Sequence, residues 1–125
     1  MGTQINNPDN LLDVVKVQCV QKGYQEYDYE EFITYKFLIE NKSNKDIRAI
    51  KGNIVFTNLF GDEINTLSFV YDDPIQSGRK INYNATTDYN QFIEKDRALK
   101  NKDLKDLKII WEPLKVIFYD GTTLE

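Results

Sequence analysis

Histidine is absent from this 125-residue chain, and cysteine occurs once, as Cys19. Without an imidazole, the Ser-His-Asp and Cys-His nucleophile systems cannot be assembled, and the commonest transition-metal ligand is missing. A structural zinc site of the usual nitrogen-and-sulfur kind is excluded for the same reason. A single cysteine permits no internal disulfide, so cysteine usage says nothing about compartment. No stretch approaches the ~20 apolar residues of a membrane-spanning helix. The six glycines are dispersed at turn-like sites and form neither phosphate-binding loop pattern, so no nucleotide or other cofactor is expected. Basic residues are outnumbered, 16 against 20 acids, and scattered rather than striped, which argues against nucleic acid as a partner.

The composition that remains is that of one folded domain. Hydrophobic residues make up 41% and charged residues 29%, near the values for soluble globular chains. Eight Tyr, seven Phe and one Trp favour pleated, half-buried strand surfaces. Residues 1–10, with Asn6-Asn7-Pro8-Asp9, show no periodicity and are expected to be a flexible leader or tether. A single domain is expected over 11–123, and Leu124-Glu125 reads as a cloning remnant. Met1-Gly2 reads as an added start standing where an export signal has been trimmed.

Period-two alternation predicts the strands. Val15, Val17 and Cys19 alternate with Lys16 and Gln18. Ile33, Tyr35, Phe37 and Ile39 follow, ending at the turn cluster Asn41-Lys42-Ser43-Asn44-Lys45-Asp46. Ile50, Gly52, Ile54 and Phe56 form the next face, and Leu59-Phe60-Gly61-Asp62-Glu63 returns the chain into Ile64 to Tyr71 as a hairpin. After the break at Asp72-Asp73-Pro74, alternation resumes through Ile81, Tyr83, Ala85 and Thr87. From Tyr89 to Asp106 the spacing of Phe92, Ile93, Ala98 and Leu99 predicts a short helical crossover, with Asp96 as a possible cap. Leu107, Ile109 and Trp111 begin a closing pair of strands, which Pro113 is expected to interrupt. Seven or eight strands with regular turns predict an all-β, immunoglobulin-like two-sheet sandwich with one helical crossover, its core including Trp111 and Cys19.

Candidate chemistry is sparse. Gly23 to Glu31 reads as a polar loop or exposed hairpin end. Its acids Glu26, Asp28, Glu30 and Glu31 offer oxygen ligands for calcium but lack the Asp-x-Asp-x-Asp-Gly pattern, so a solvated loop is the expected reading. Asp72 and Asp73 pair carboxylates beside Pro74, yet neighbouring side chains in extended chain point to opposite faces. Asn41-Lys42-Ser43 and Asn84-Ala85-Thr86 match the glycosylation acceptor pattern. Tyr24, Tyr27 and Tyr29 are candidates for a recognition patch, because tyrosine supplies contact area at low entropy cost, with strand-edge packing the alternative. No catalytic, metal or cofactor-binding residue is assigned.

The run Ile33-Thr-Tyr-Lys-Phe-Leu-Ile-Glu-Asn-Lys-Ser-Asn-Lys-Asp-Ile47, with Ile50 to Phe56, Leu59-Phe60-Gly61-Asp62-Glu63, Pro74-Ile75 and Gly78, resembles FxLYD-like domains. These are immunoglobulin-like modules of bacterial lipoproteins, in which a strand ends at Asn-x-Ser and a later turn carries Pro-x-x-Gly. The likeness spans the central half of the chain. The family's Leu-Tyr-Asp step stands here as Leu59-Phe60-Gly61-Asp62. The resemblance implies an extracytoplasmic domain at the cell surface, membrane-anchored only through a missing N-terminal segment, with no catalytic residues to carry over.

The expected function is therefore a non-catalytic binding or accessory domain of a bacterial cell-surface (lipo)protein, its partner a cell-envelope component or another protein. Two alternatives remain open. One is a glycan hydrolase using carboxylates such as Glu63, Asp72 and Asp73. The other is a structural or phage-type protein that self-associates through strand edges.

Overall fold

A computed structural model describes residues 10–125; the expected leader lies outside the described residues except for Asn10, whose side-chain oxygen accepts the Leu12 N–H and opens a 3-10 turn over Leu11–Asp13. Seven strands follow: β1 (Val15–Tyr27), β2 (Glu30–Asn41), β3 (Ile47–Thr57), β4 (Glu63–Tyr71), β5 (Lys80–Asp88), β6 (Lys108–Phe118) and β7 (Thr123–Leu124). One helix, α1 (Glu94–Asn101), and a 3-10 turn at Leu104–Asp106 connect β5 to β6. All pairings are antiparallel, in a sheet of order β1-β2-β5 and a second of order β4-β3-β6-β7. The chain is a two-sheet sandwich.

The faces follow the alternation. Ile33, Tyr35, Phe37 and Ile39 of β2 and Ile50, Ile54 and Phe56 of β3 are all buried, and these two central strands face each other across the core. Each such side chain contributes about 1.5–3 kcal/mol when fully removed from water. Phe37 and Trp111 both meet the Phe69 ring edge-on, and Tyr35 lies against Phe56. Trp111 is 9% exposed, and its indole Nε1 donates to the Val15 carbonyl 3.2 Å away. Val15 belongs to the other sheet, so the one tryptophan ties the two layers together. Gly52 makes room for it: a Cβ there would stand 2.5 Å from the Trp111 ring.

Two expectations change. Pro113 does not interrupt the last long strand; β6 is continuous, and the register skips Leu114 between Gly52↔Pro113 and Lys51↔Lys115. A bulge beside a strand with no partner along most of its far side is where a residue without an N–H is tolerated. Asp96 does not cap α1. It lies within the first turn, and its carboxylate accepts the Asn90 N–H, while Phe92 and Ile93 precede the helix and are exposed. Only Leu99 of α1 is buried. Leu124 pairs with Val116 and packs against the core.

Cys19 is half-buried against the core, its thiol donating to the Gln21 carbonyl. Burial pushes its pKa from 9.0 up to about 11. At pH 8 the thiolate fraction is then lower by roughly a hundredfold. Ellman's reagent is expected to react with the native protein at least that much more slowly than with the urea-unfolded chain. Equal rates would show the thiol to be open to solvent.

Candidate functional site

The segment from Gly23 to Glu31 is a hairpin rather than a loop. β1 runs to Tyr27 and β2 resumes at Glu30, leaving Asp28 and Tyr29 as the two turn residues with φ of 51° and 67°. Positive φ at both positions is the type I′ pattern, which matches the strand twist and ordinarily takes Asn-Gly. A tyrosine in that conformation is disfavoured by about 1–2 kcal/mol, yet Tyr29 is 99% exposed and Tyr27 70%. Neither ring contributes to the core.

Tyr24 has a different role. Cys19 pairs with Phe37 but Gln21 with Lys36, so Val20 is an extra residue that inverts the phase of β1. Lys22 and Tyr24, outward by simple alternation, turn to the inner side. The Lys22 ammonium donates to the Lys100 and Lys102 carbonyls, capping the C-terminus of α1, and burial lowers its pKa. The Tyr24 ring meets Tyr89 edge-on, with the Lys100 ammonium 4.0 Å from its centroid. Its hydroxyl donates to the Glu31 carboxylate, which with partial burial pushes the phenol up to about 12. Of the three tyrosines, Tyr24 therefore buttresses the hairpin, and Tyr27 and Tyr29 are presented by it.

Two other loops reach the same end of the sandwich. Tyr35 of β2 packs on Phe56 of β3, so the start of β2 lies beside the end of β3, and Phe32↔Asp88 places the end of β5 there too. The β3–β4 turn exposes Leu59 and Phe60, the latter by 92%. It is stiffened by Asn58, whose side-chain oxygen accepts the Phe60 and Asp62 N–H groups. The β5–α1 loop exposes Phe92 (83%) and Ile93. There the Asn90 side chain accepts the Phe92 N–H, and Arg97 donates to the Gln91 carbonyl. Six large apolar side chains thus project from one pole on loops held by their own hydrogen bonds. Sequence reading named Tyr24, Tyr27 and Tyr29 as candidates, of which Tyr27 and Tyr29 lie at this pole, and assigned Leu59 and Phe60 to a turn and Phe92 and Ile93 to a helix face. An aromatic next to a turn glycine, as in Phe60-Gly61, was the available signal.

The two concavities carry less. An open groove of about 860 Å³ on the outer face of the β1-β2-β5 sheet is lined by Gln21, Thr34, Lys36, Asn84 and Thr86, with Asp103 at its rim. These are the polar residues of a solvated sheet face. A depression of about 470 Å³ at the opposite end holds Lys45, already paired with Asp120 at 2.9 Å and lying over the Phe118 ring. Among the described residues no three metal-ligating side chains converge. Glu63 opens β4 and Asp72 follows its end, so about 30 Å separates them. Glycosidase carboxylates stand roughly 5–10 Å apart. Asn41, the first glycosylation candidate, is fully buried, and its amide donates to the Lys45 and Ile75 carbonyls.

A scan against protein-family models returned no match, and neither the curated proteins nor the solved structures contain a match to this chain.

Proposed function

We propose that this chain is a non-catalytic recognition module that engages another protein through its loop-bearing pole. The observation that carries the reading is Tyr29: an aromatic side chain held fully exposed in a left-handed conformation where glycine is intrinsically better. Strain kept at a site that contributes nothing to the core points to a use outside the fold. The stiffened loops support it, since aromatic groups already fixed in place lose little entropy on binding.

The partner's chemistry follows from charge. Residues 26–31 carry Glu26, Asp28, Glu30 and Glu31 with no basic residue, and 58–63 carry Asp62 and Glu63 with none. The apolar side chains of these two loops are ringed by carboxylates, while the third loop balances Glu94 and Asp96 against Lys95 and Arg97, so the pole suits a polypeptide surface that combines lysine or arginine with exposed apolar groups. The resemblance of the central half to FxLYD-like domains supports placing the module on a bacterial cell-surface (lipo)protein, anchored through a segment N-terminal to the sandwich. The distance between Glu63 and the Asp72-Asp73 pair weighs against the glycan-hydrolase reading of those acids.

The test is selection of a random peptide-display library on the purified protein. Recovered peptides are expected to be basic and apolar and to lose binding to the Tyr29→Gly variant. That variant should at the same time be more stable by roughly 0.5–1 kcal/mol, because strain is relieved. Peptides that bind Tyr29→Gly and wild type equally would overturn the proposal.

A further inference from the structure

A two-sheet sandwich leaves strand edges with unpaired backbone groups, and such edges pair with other chains unless protected. Most edges here are protected. β1 carries the bulge at Val20 and the Lys22 contact to the end of α1. β4 has α1 packed against it. β6 has Pro113 and the Leu114 bulge, and β7 is two residues long. β5 has none of these devices: nine residues without proline, glycine or bulge, paired with β2 on one side and, among the described residues, with no strand on the other.

The direction of its free groups can be fixed. The Asn41 N–H donates to the Arg79 carbonyl at one end of the β2–β5 ladder, and the Tyr89 N–H donates to the Glu31 carbonyl at the other. Hydrogen-bonded pairs alternate along an antiparallel ladder, so the odd-numbered residues of β5 face β2. Lys80, Asn82, Asn84, Thr86 and Asp88 then aim their N–H and C=O groups outward, and all five side chains are exposed.

We infer that β5 pairs antiparallel with β5 of a second copy of this chain, on a two-fold axis through Asn84. This is the register that uses the whole strand. It sets Lys80 against Asp88 of the copy twice, Asn82 against Thr86 twice, and Asn84 against itself, each an outward-bonding pair. Between them, half-buried Tyr83 and Ile81 meet Ala85 and Thr87 of the copy. Opposite charges at both ends and self-matching residues throughout are what an isologous interface requires. The three-stranded sheets join into one of six strands, and the two aromatic poles point in opposite directions.

Sedimentation velocity from about 10 µM to about 1 mM tests it, with Asn84→Pro removing the central outward N–H and Lys80→Glu reversing an end charge. A reversible dimer is expected, abolished by Asn84→Pro, weakened about tenfold by Lys80→Glu and restored by Lys80→Glu with Asp88→Lys. Circular dichroism checks that each variant folds; if Asn84→Pro does not, the charge-reversal series decides. A strict monomer at the highest concentration, or a dimer indifferent to the charge reversals, would overturn the inference. Peptide binding at the pole is read separately and is expected to survive in the monomeric variant.

Discussion

Gly52→Ala is expected to destabilise the protein by about 3–4 kcal/mol. Gly52 lies on the inward face of β3 between Ile50 and Ile54, where alternation demands a core residue. An added Cβ would stand 2.5 Å from the Glu112 carbonyl oxygen and 2.5 and 2.6 Å from two Trp111 ring carbons. The indole must move, and β6 must also shift at Glu112, because that contact is with backbone. Overpacking of this kind typically costs 1–3 kcal/mol, and displacing the ring also breaks the Nε1 bond to Val15, worth about 1 more. For a domain of this size the melting temperature should fall by roughly 12–20 °C, with a red shift of tryptophan fluorescence. A change under about 2 °C would mean that the indole does not occupy the space above Gly52.

Asn41→Ala should destabilise by about 3 kcal/mol, and Asn41→Asp by more. The Asn41 side chain is fully buried and makes four hydrogen bonds: its amide donates to the Lys45 and Ile75 carbonyls, and its oxygen accepts the Ser43 N–H and hydroxyl. It closes the turn after β2 and fastens it to Ile75, which also pairs with Ile47 at the start of β3. Alanine strands the Lys45 and Ser43 groups in a part-buried turn. Aspartate adds a carboxylate pointed at two carbonyl oxygens. Burial raises its folded pKa above the unfolded value near 4, so the protonated form favours the fold. The Asn41→Asp protein should then be least damaged below about pH 4 and lose stability as pH rises from there, measured by urea midpoints across pH. A pH-independent loss would contradict that environment.

Both positions were partly legible in the sequence. The alternation of β2 and β5 assigned their inward faces correctly because each keeps one phase from end to end, and that of β3 did so from Ile50 to Phe56, past the irregularity between Ile47 and Ala49. Gly52 was placed on the core face, though nothing local reveals that a tryptophan 59 residues later fills its space. Asn41 was recognised as the start of a turn, and the Asn-x-Ser step doubled as a glycosylation pattern; only burial separates the two readings. β1 was not legible beyond Cys19, because one extra residue inverts its phase and moves Lys22 and Tyr24 inward. Pro113 misled because the rule against proline in strands relaxes at a bulge. The pole was half visible. Tyr27 and Tyr29 were adjacent to acids in a single segment, whereas Leu59, Phe60, Phe92 and Ile93 join them only through the topology of three separate loops.

The most direct test of the recognition surface is chemical-shift mapping of the 15N-labelled protein titrated with a selected basic, apolar peptide. Perturbations are expected at residues 27–30, 58–62 and 90–93, at one end of the sandwich. Shifts centred instead on the polar groove, at Gln21, Thr34 and Asn84, would contradict the assignment of function to the aromatic pole.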